Sequence, residues 1–446
     1  MHQRILIKNA LIVNEGNTFC GSLVIDNEQV AEILLGREAY PSQPVMETID
    51  ADGCYLLPGI IDSHVHFRDP GLTHKADFES ESLAALAGGV TTVLDMPNTL
   101  PETTTVQALE NKIKNAQAKS HINFGFLIGA SNNNADSLAD MPLQKIAAIK
   151  IFLGSSTGNM QIEDPSAVER FFQHSPTMLV AHCEDSSIIR KNLQHYQRLY
   201  GEDPDIQFHS KIRSAEACIN STRYAIRLAQ QYHTHLHIAH ISTKEELELI
   251  HSSGKEISAE VCLPHLLFCE DDYAQLGSRI KCNPSVKTQA DREALRKALS
   301  TDKICTIATD HAPHTKADKV GGAAKAKSGI PLLQFSLVSM LGLVDEGYLS
   351  IERLVQLMCH NPATLYGIEN RGFLRIGYKA DIVLVRPQSY WTLTPNDIRS
   401  KCHWSPLEGH TFHWQVEKTF CNGSLVFDKG AVVNESRKGQ PVTFNH

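Results

Sequence analysis

Apolar runs of strand length recur along the chain, and their rhythm changes near residue 55. Before that point the runs are short and separated by turn residues such as Asn14-Glu15-Gly16-Asn17 and Asp26-Asn27-Glu28. They predict strands over 4–13, 21–26, 29–35 and 46–50, a small antiparallel β structure. From 55 onward, apolar runs alternate with helical patterns. The runs cover 55–63, 91–95, 122–128, 147–152, 177–181, 235–239, 256–262 and 304–309. Helical patterns over 77–87, 216–231, 244–251 and 291–299 lie between them. Strands regularly alternating with helices predict an α/β fold, a (β/α)8 TIM-like barrel over 55–365. The rival is an open doubly wound sheet, but the chain holds no G-x-G-x-x-G or P-loop to support it. Two further helical stretches, 330–343 and 351–360, precede a return to β patterning over 372–385, 417–427 and 431–433. Residues 1–54 and 366–446 therefore read as two halves of one small β-sandwich flanking the barrel.

The composition fits this picture. The chain has 446 residues, 42% hydrophobic and 21% charged, enough to bury a large core. A net charge of −8 and a pI near 6.3 argue against general nucleic-acid binding. There is no apolar stretch long enough to span a membrane, and the first residues lack the apolar core and cleavage site of a signal peptide. None of the 11 cysteines forms a C-x-x-C pair, which suits reduced thiols in a cytoplasmic protein. A cytoplasmic location, with neither nucleic-acid nor membrane partners, is the expectation.

In such a barrel the chemistry sits at the C-terminal ends of the strands. The first barrel run ends in His64-Val65-His66, and alternate residues of a strand share a face, so the two imidazoles aim together. The fifth ends in His182, the sixth in His240 and the eighth in Asp310. Strand parity selects Asp310 over His311, and position nearer the strand end selects His240 over His237. Any of these alone reads as an ordinary core histidine or a helix cap. Together, at the ends of one barrel, they read as ligands of a divalent metal. The fourth run buries Lys150, whose ammonium is costly there, so its pKa should fall. A neutral amine can take up CO2 and become a carbamate that bridges two cations. A lysine paired with an acid is the other reading, and the residue itself leaves both open. Arg68 follows His66 at strand parity and suits bidentate binding of a carboxylate, although a surface ion pair would also account for it. Residues 316–329 and 154–159 are small, polar and glycine-bearing, candidates for loops that close on a substrate.

These motifs resemble the amidohydrolase superfamily and, within it, the longer class I-like dihydroorotases. The resemblance rests on His64-Val65-His66-Phe67-Arg68-Asp69-Pro70-Gly71, Met96-Pro97-Asn98-Thr99, Ala181-His182-Cys183-Glu184, His240-Ile241-Ser242-Thr243, Asn283-Pro284 and Thr309-Asp310-His311-Ala312-Pro313-His314. It covers nearly the whole chain, including the split sandwich. It implies reversible cyclisation of N-carbamoyl-L-aspartate to L-dihydroorotate plus water, in de novo pyrimidine (UMP) biosynthesis. It implies two divalent cations, zinc by the nitrogen and oxygen donors, on His64, His66, Lys150, His182, His240 and Asp310, with a hydroxide between them as nucleophile and Asp310 as general acid/base. Arg68, Asn98, Asn283 and His314 are the implied substrate ligands. A homodimer and an association with aspartate carbamoyltransferase are further expectations. Many bacterial class I members carry aspartate on the fourth strand. Lys150 instead resembles the carboxylated lysine of animal dihydroorotases, which hydantoinases and allantoinases share. Allantoinases tend to differ at Arg68 and in the M-P string. An allantoinase, a dihydropyrimidinase or hydantoinase, and an inactive structural partner of aspartate carbamoyltransferase are the competing readings.

Overall fold

The structure is a computed structural model that describes residues 4–37, 40–154, 160–162, 164–251, 256–436 and 438–446. Residues 155–159, most of one expected loop, lie outside the described residues.

Strands β1 (Arg4–Asn14), β2 (Asn17–Asp26), β3 (Gln29–Leu35), β4 (Glu47–Asp50) and β5 (Tyr55–Pro58) open the chain. The barrel follows with β6 (Ile60–Val65), β7 (Val90–Asp95), β8 (Asn123–Phe126), β9 (Ile128–Gly129), β10 (Ile149–Leu153), β11 (Leu179–Cys183), β12 (Leu236–Ile238), β13 (Ile257–Cys262) and β14 (Thr306–Ala308). The chain ends with β15 (Ile382–Arg386), β16 (Trp391–Thr392), β17 (Thr411–Phe412), β18 (Gln415–Cys421), β19 (Ser424–Asp428) and β20 (Ala431–Val432).

From β6 to β14 neighbouring strands pair in parallel in chain order, with β8 and β9 forming one interrupted strand. A parallel bridge from Val65 to His311, with the His66 N–H donating to the His311 carbonyl at 2.8 Å, closes the ring. Parallel barrel strands are covered by helices on the outside and side chains within, which is why they read as continuous apolar runs.

Both chain ends build one nine-stranded sheet, ordered β20-β19-β18-β15-β5-β1-β2-β3 with β4 beside β1. Its inner face has a core of its own, including Ile5, Ile7, Ala10, Ile12, Leu23, Leu56, Ile382 and Phe420. The register of β1 shifts between Ile7 and Ala10, where Asn9 takes φ 63°, so apolar residues on both sides of the bulge face this core.

The structure divides the apolar run 55–63 in two. β5 pairs with β1 and β15 in the terminal sheet, and only β6 belongs to the barrel. Gly59 makes the crossing, since a Cβ there would lie 2.2 Å from Thr91 Oγ1. Of the strand pair expected over 372–385, only β15 forms. Ahead of it, Asn14 takes the place of a strand partner, donating to the Leu374 carbonyl at 2.9 Å and accepting its N–H at 3.1 Å. Among the described residues no helix is long and apolar enough to cross a membrane.

Candidate metal centre and substrate cavity

At the C-terminal mouth of the barrel, His64, His66, Arg68, Asn98, Lys150, His182, His240, Asn283 and Asp310 line one cavity with Phe152, Ala312, Ser328 and Gly329. Every residue singled out in the sequence except His314 is on its wall. His314 lies just behind, with Nε2 3.2 Å from Arg68 Nη2.

Three of the four histidines are oriented from their outer side, while His240 Nδ1 has no partner among the described residues. His64 Nδ1 and Glu260 Oε1 are 2.7 Å apart, and His66 Nδ1 and Asn98 Oδ1 are 2.8 Å apart. Both Nε2 atoms turn inward toward Asp310 Oδ1, at 3.5 Å from His64 and 3.1 Å from His66, and the tautomer with Nδ1–H donated outward is the one that would free them for a metal. Across the cavity, His182 Nε2 lies 2.9 Å from Glu184 Oε2, and its Nδ1 is 3.0 Å from His240 Nε2. Such outer partners fix the tautomer of a metal-binding imidazole. Burial lowers the pKa of His64, His182 and His240, and the nearby Lys150 charge lowers each further, which favours the neutral, ligating form. Burial alone would raise Asp310, but His64 and His66 hold its carboxyl below the ordinary range.

Lys150 is fully buried on β10, and its Nζ has no hydrogen-bond partner among the described residues. Burial lowers its pKa, against the opposing pull of the Glu260 and Asp310 carboxylates. An orphaned amine amid inward-facing imidazoles is a poor structural lysine. It fits a group that gains oxygen ligands once carboxylated.

Left-handed backbone turns place three cavity residues. Arg68, His240 and Asp310 have φ of 65°, 37° and 48°. β14 ends at Ala308, before Asp310, so strand parity does not aim that side chain. Asp62 does, by accepting from Thr309 Oγ1 at 2.5 Å and Thr309 N–H at 3.2 Å. Strained φ values of this kind concentrate where surrounding structure over-determines a site. The alternatives at both strand ends point elsewhere. His311 Nε2 sits 2.8 Å from Glu81, and His237 sits in the barrel interior with Nδ1 2.7 Å from Ser258 Oγ.

Glu260 was not singled out in the sequence. It is fully buried on β13, where it accepts from Ser63 Oγ at 3.2 Å and the His240 N–H at 3.4 Å, besides facing His64. The cost of a charge inside an apolar strand, which marked Lys150, marks this carboxylate equally. Glu184 is the other such partner. Burial would raise it, yet Arg213 and His182 bring its pKa down to about 2.

Of the expected loop 316–329, Ser328 and Gly329 reach the cavity. Gly329 packs so closely that a Cβ would lie 2.3 Å from the Ala312 carbonyl oxygen. The loop is tied down by Lys319 Nζ, which donates to the carbonyls of Lys327 and Gly329 at 2.8 Å each.

The model of the amidohydrolase family matches residues 55–426. The chain is 35% identical over 389 residues to a dihydroorotase of Halobacterium salinarum, covering 86% of this chain and 89% of that protein. It is 29% identical to an allantoinase of Bacillus velezensis, over 96% of this chain and 94% of the other. Among solved structures, L-hydantoinase (dihydropyrimidinase) from Arthrobacter aurescens superposes with a TM-score of 0.92 at 27% identity, covering 99% of this chain and all of that one.

Proposed function

We infer that this chain, which belongs to the amidohydrolase family, has dihydroorotase activity, the reversible cyclisation of N-carbamoyl-L-aspartate to L-dihydroorotate plus water in pyrimidine biosynthesis. The observation that carries this reading is Arg68. Its side chain is buried in the wall of the cavity, and it forms no salt bridge among the described residues. Its Nε donates to the Pro313 carbonyl at 3.2 Å. Burial lowers its pKa to about 10 in spite of the more distant Asp310, Asp95 and Asp318. A buried guanidinium without an anion is unfavourable until a carboxylate joins it. Dihydroorotate brings one; allantoin and dihydrouracil do not.

In this reading His64, His66 and Asp310 would hold one divalent cation and His182 and His240 a second, with a carbamate on Lys150 shared between them. The donor set of nitrogen and oxygen suits zinc. When bound, the cations ionise a water near neutral pH and polarise the ring amide carbonyl. Asp310 takes the proton of the attacking water and passes it to the leaving ring nitrogen. In the cyclising direction the same carboxylate removes the proton from the carbamoyl nitrogen. Arg68 holds the substrate carboxylate, with Asn98 beside it on the cavity wall and His314 behind the guanidinium. Asn283 Oδ1 has no partner among the described residues and would accept from the ring.

Arg68→Met tests this. With two charge-assisted hydrogen bonds lost, kcat/KM for dihydroorotate should fall about a hundredfold or more. An unchanged value would remove Arg68 from the carboxylate site. Glu260→Gln tests the orientation of His64: metal affinity, measured by chelator competition, should drop roughly 10–100-fold with the fold retained. Unchanged affinity would make Glu260 merely structural. Lys150 and the similarity to the allantoinase and the hydantoinase favour a second reading, a cyclic-amide hydrolase acting on uncharged rings.

A further inference from the structure

Behind Arg68, the imidazole of His314 sits between two cations. Lys75, in the turn after β6, reaches in with Nζ 3.1 Å from His314 Nδ1, and its side chain is 13% exposed. On the other edge, His314 Nε2 is 3.0 Å from the Ser328 carbonyl oxygen and 3.2 Å from Arg68 Nη2.

These distances distinguish the two neutral tautomers. An ammonium only donates, so Lys75 demands a lone pair on Nδ1. The proton then sits on Nε2 and is donated to Ser328. In the opposite tautomer, Nδ1–H would face the Lys75 ammonium and the Nε2 lone pair would face the Ser328 carbonyl, two repulsive contacts against the one that the Nε2–H form leaves with Arg68 Nη2 at 3.2 Å. Asp318 Oδ2 lies 3.6 Å from Nδ1, beyond hydrogen-bond reach, and is engaged by the Thr315 N–H at 3.1 Å and Oγ1 at 3.0 Å. Burial holds the imidazole neutral, and the charges of Arg68, Lys75 and Lys319 add to that effect.

We propose that Lys75 is a positioning residue: by donating to Nδ1 it holds His314 as the Nε2–H tautomer, which commits the imidazole to Ser328 and leaves the Arg68 guanidinium undivided for the substrate carboxylate. The role of the carboxylate rests on the dihydroorotase reading; the tautomer does not. Without Lys75 the ring proton is free to move to Nδ1, toward Asp318. Nε2 then accepts from Arg68, diverting the donor that faces substrate. The Ser328 carbonyl, on the cavity wall, loses its partner.

The test has a kinetic and a spectroscopic arm. Lys75→Met should raise KM for dihydroorotate about tenfold while kcat stays within about twofold, the signature of lost binding common to ground and transition states. Lys75→Arg, which keeps a donor, should restore most of the affinity. In the unaltered protein, 15N NMR of labelled histidine should show Nδ1 of His314 unprotonated and Nε2 protonated, with His314→Gln identifying the resonance. A protonated Nδ1 there, or an unchanged KM in Lys75→Met, overturns the proposal. Should Lys75→Met not fold, the tautomer in the unaltered protein decides alone. Should the unaltered protein leave dihydroorotate untouched, the functional reading fails, and the NMR result still decides what Lys75 does.

Discussion

Lys150→Ala is expected to lose most bound metal and at least about a thousandfold in kcat/KM. The side chain is buried in the cavity wall among the candidate ligands, and its amine is unpartnered among the described residues. Its truncation removes an ammonium that burial penalises, so the folded state should persist and circular dichroism should be unaltered. In the proposed binuclear site, what disappears is the group that would become, as a carbamate, a ligand shared by two cations. Short carboxylic acids or bicarbonate should partly restore both metal and turnover by occupying the vacated space. Near-normal metal content in Lys150→Ala would refute the bridging role. Full activity recovered with metal alone would do the same.

Asp310→Asn should lower kcat by about 10²–10⁴-fold, the range expected when a general acid/base is removed. The carboxamide keeps the shape and one oxygen that can face His66, so folding should be unchanged. The pH profile adds a sharper readout. His64 and His66 overcome the effect of burial and hold the Asp310 carboxyl below the ordinary carboxylate range. Activity that depends on its ionised form is therefore present above that depressed value and lost as pH falls through it. In Asp310→Asn that acidic limb should vanish from what turnover remains. Substantial residual activity with the limb intact would rule out Asp310 as the proton carrier.

The barrel was legible because its strands are buried on both faces and so appear as unbroken apolar runs. The same property hid the crossing at Gly59. Leu56 and Ile60 are equally buried, so hydropathy cannot show that they serve different cores. The bulge at Asn9 and the Asn14 contacts that replace a strand before β15 depend on long-range partners, which a local pattern does not contain. At the site, parity is informative for His64 on β6. At His240 and Asp310 the backbone leaves the strand through positive φ, so parity is no guide, and the aim of Asp310 comes from Asp62 and Thr309. Glu260 carries a readable signal, a charge inside an apolar strand, but it lies two residues short of the strand end, where ligand positions are expected. Lys75 carried none: a lysine in a polar turn looks like a solvated side chain until His314, far along the chain, closes over it.

The most direct measurement is ring opening by the metal-loaded protein on dihydroorotate, allantoin and dihydrouracil in parallel. Turnover of dihydroorotate, with the two uncharged rings at least about a hundredfold slower in kcat/KM, is the result that a carboxylate-binding Arg68 requires. Turnover of the uncharged rings alone would contradict it and assign the chain to the hydantoinase and allantoinase side of the family. A fully metal-loaded protein inert toward all three would mark it as a non-catalytic member.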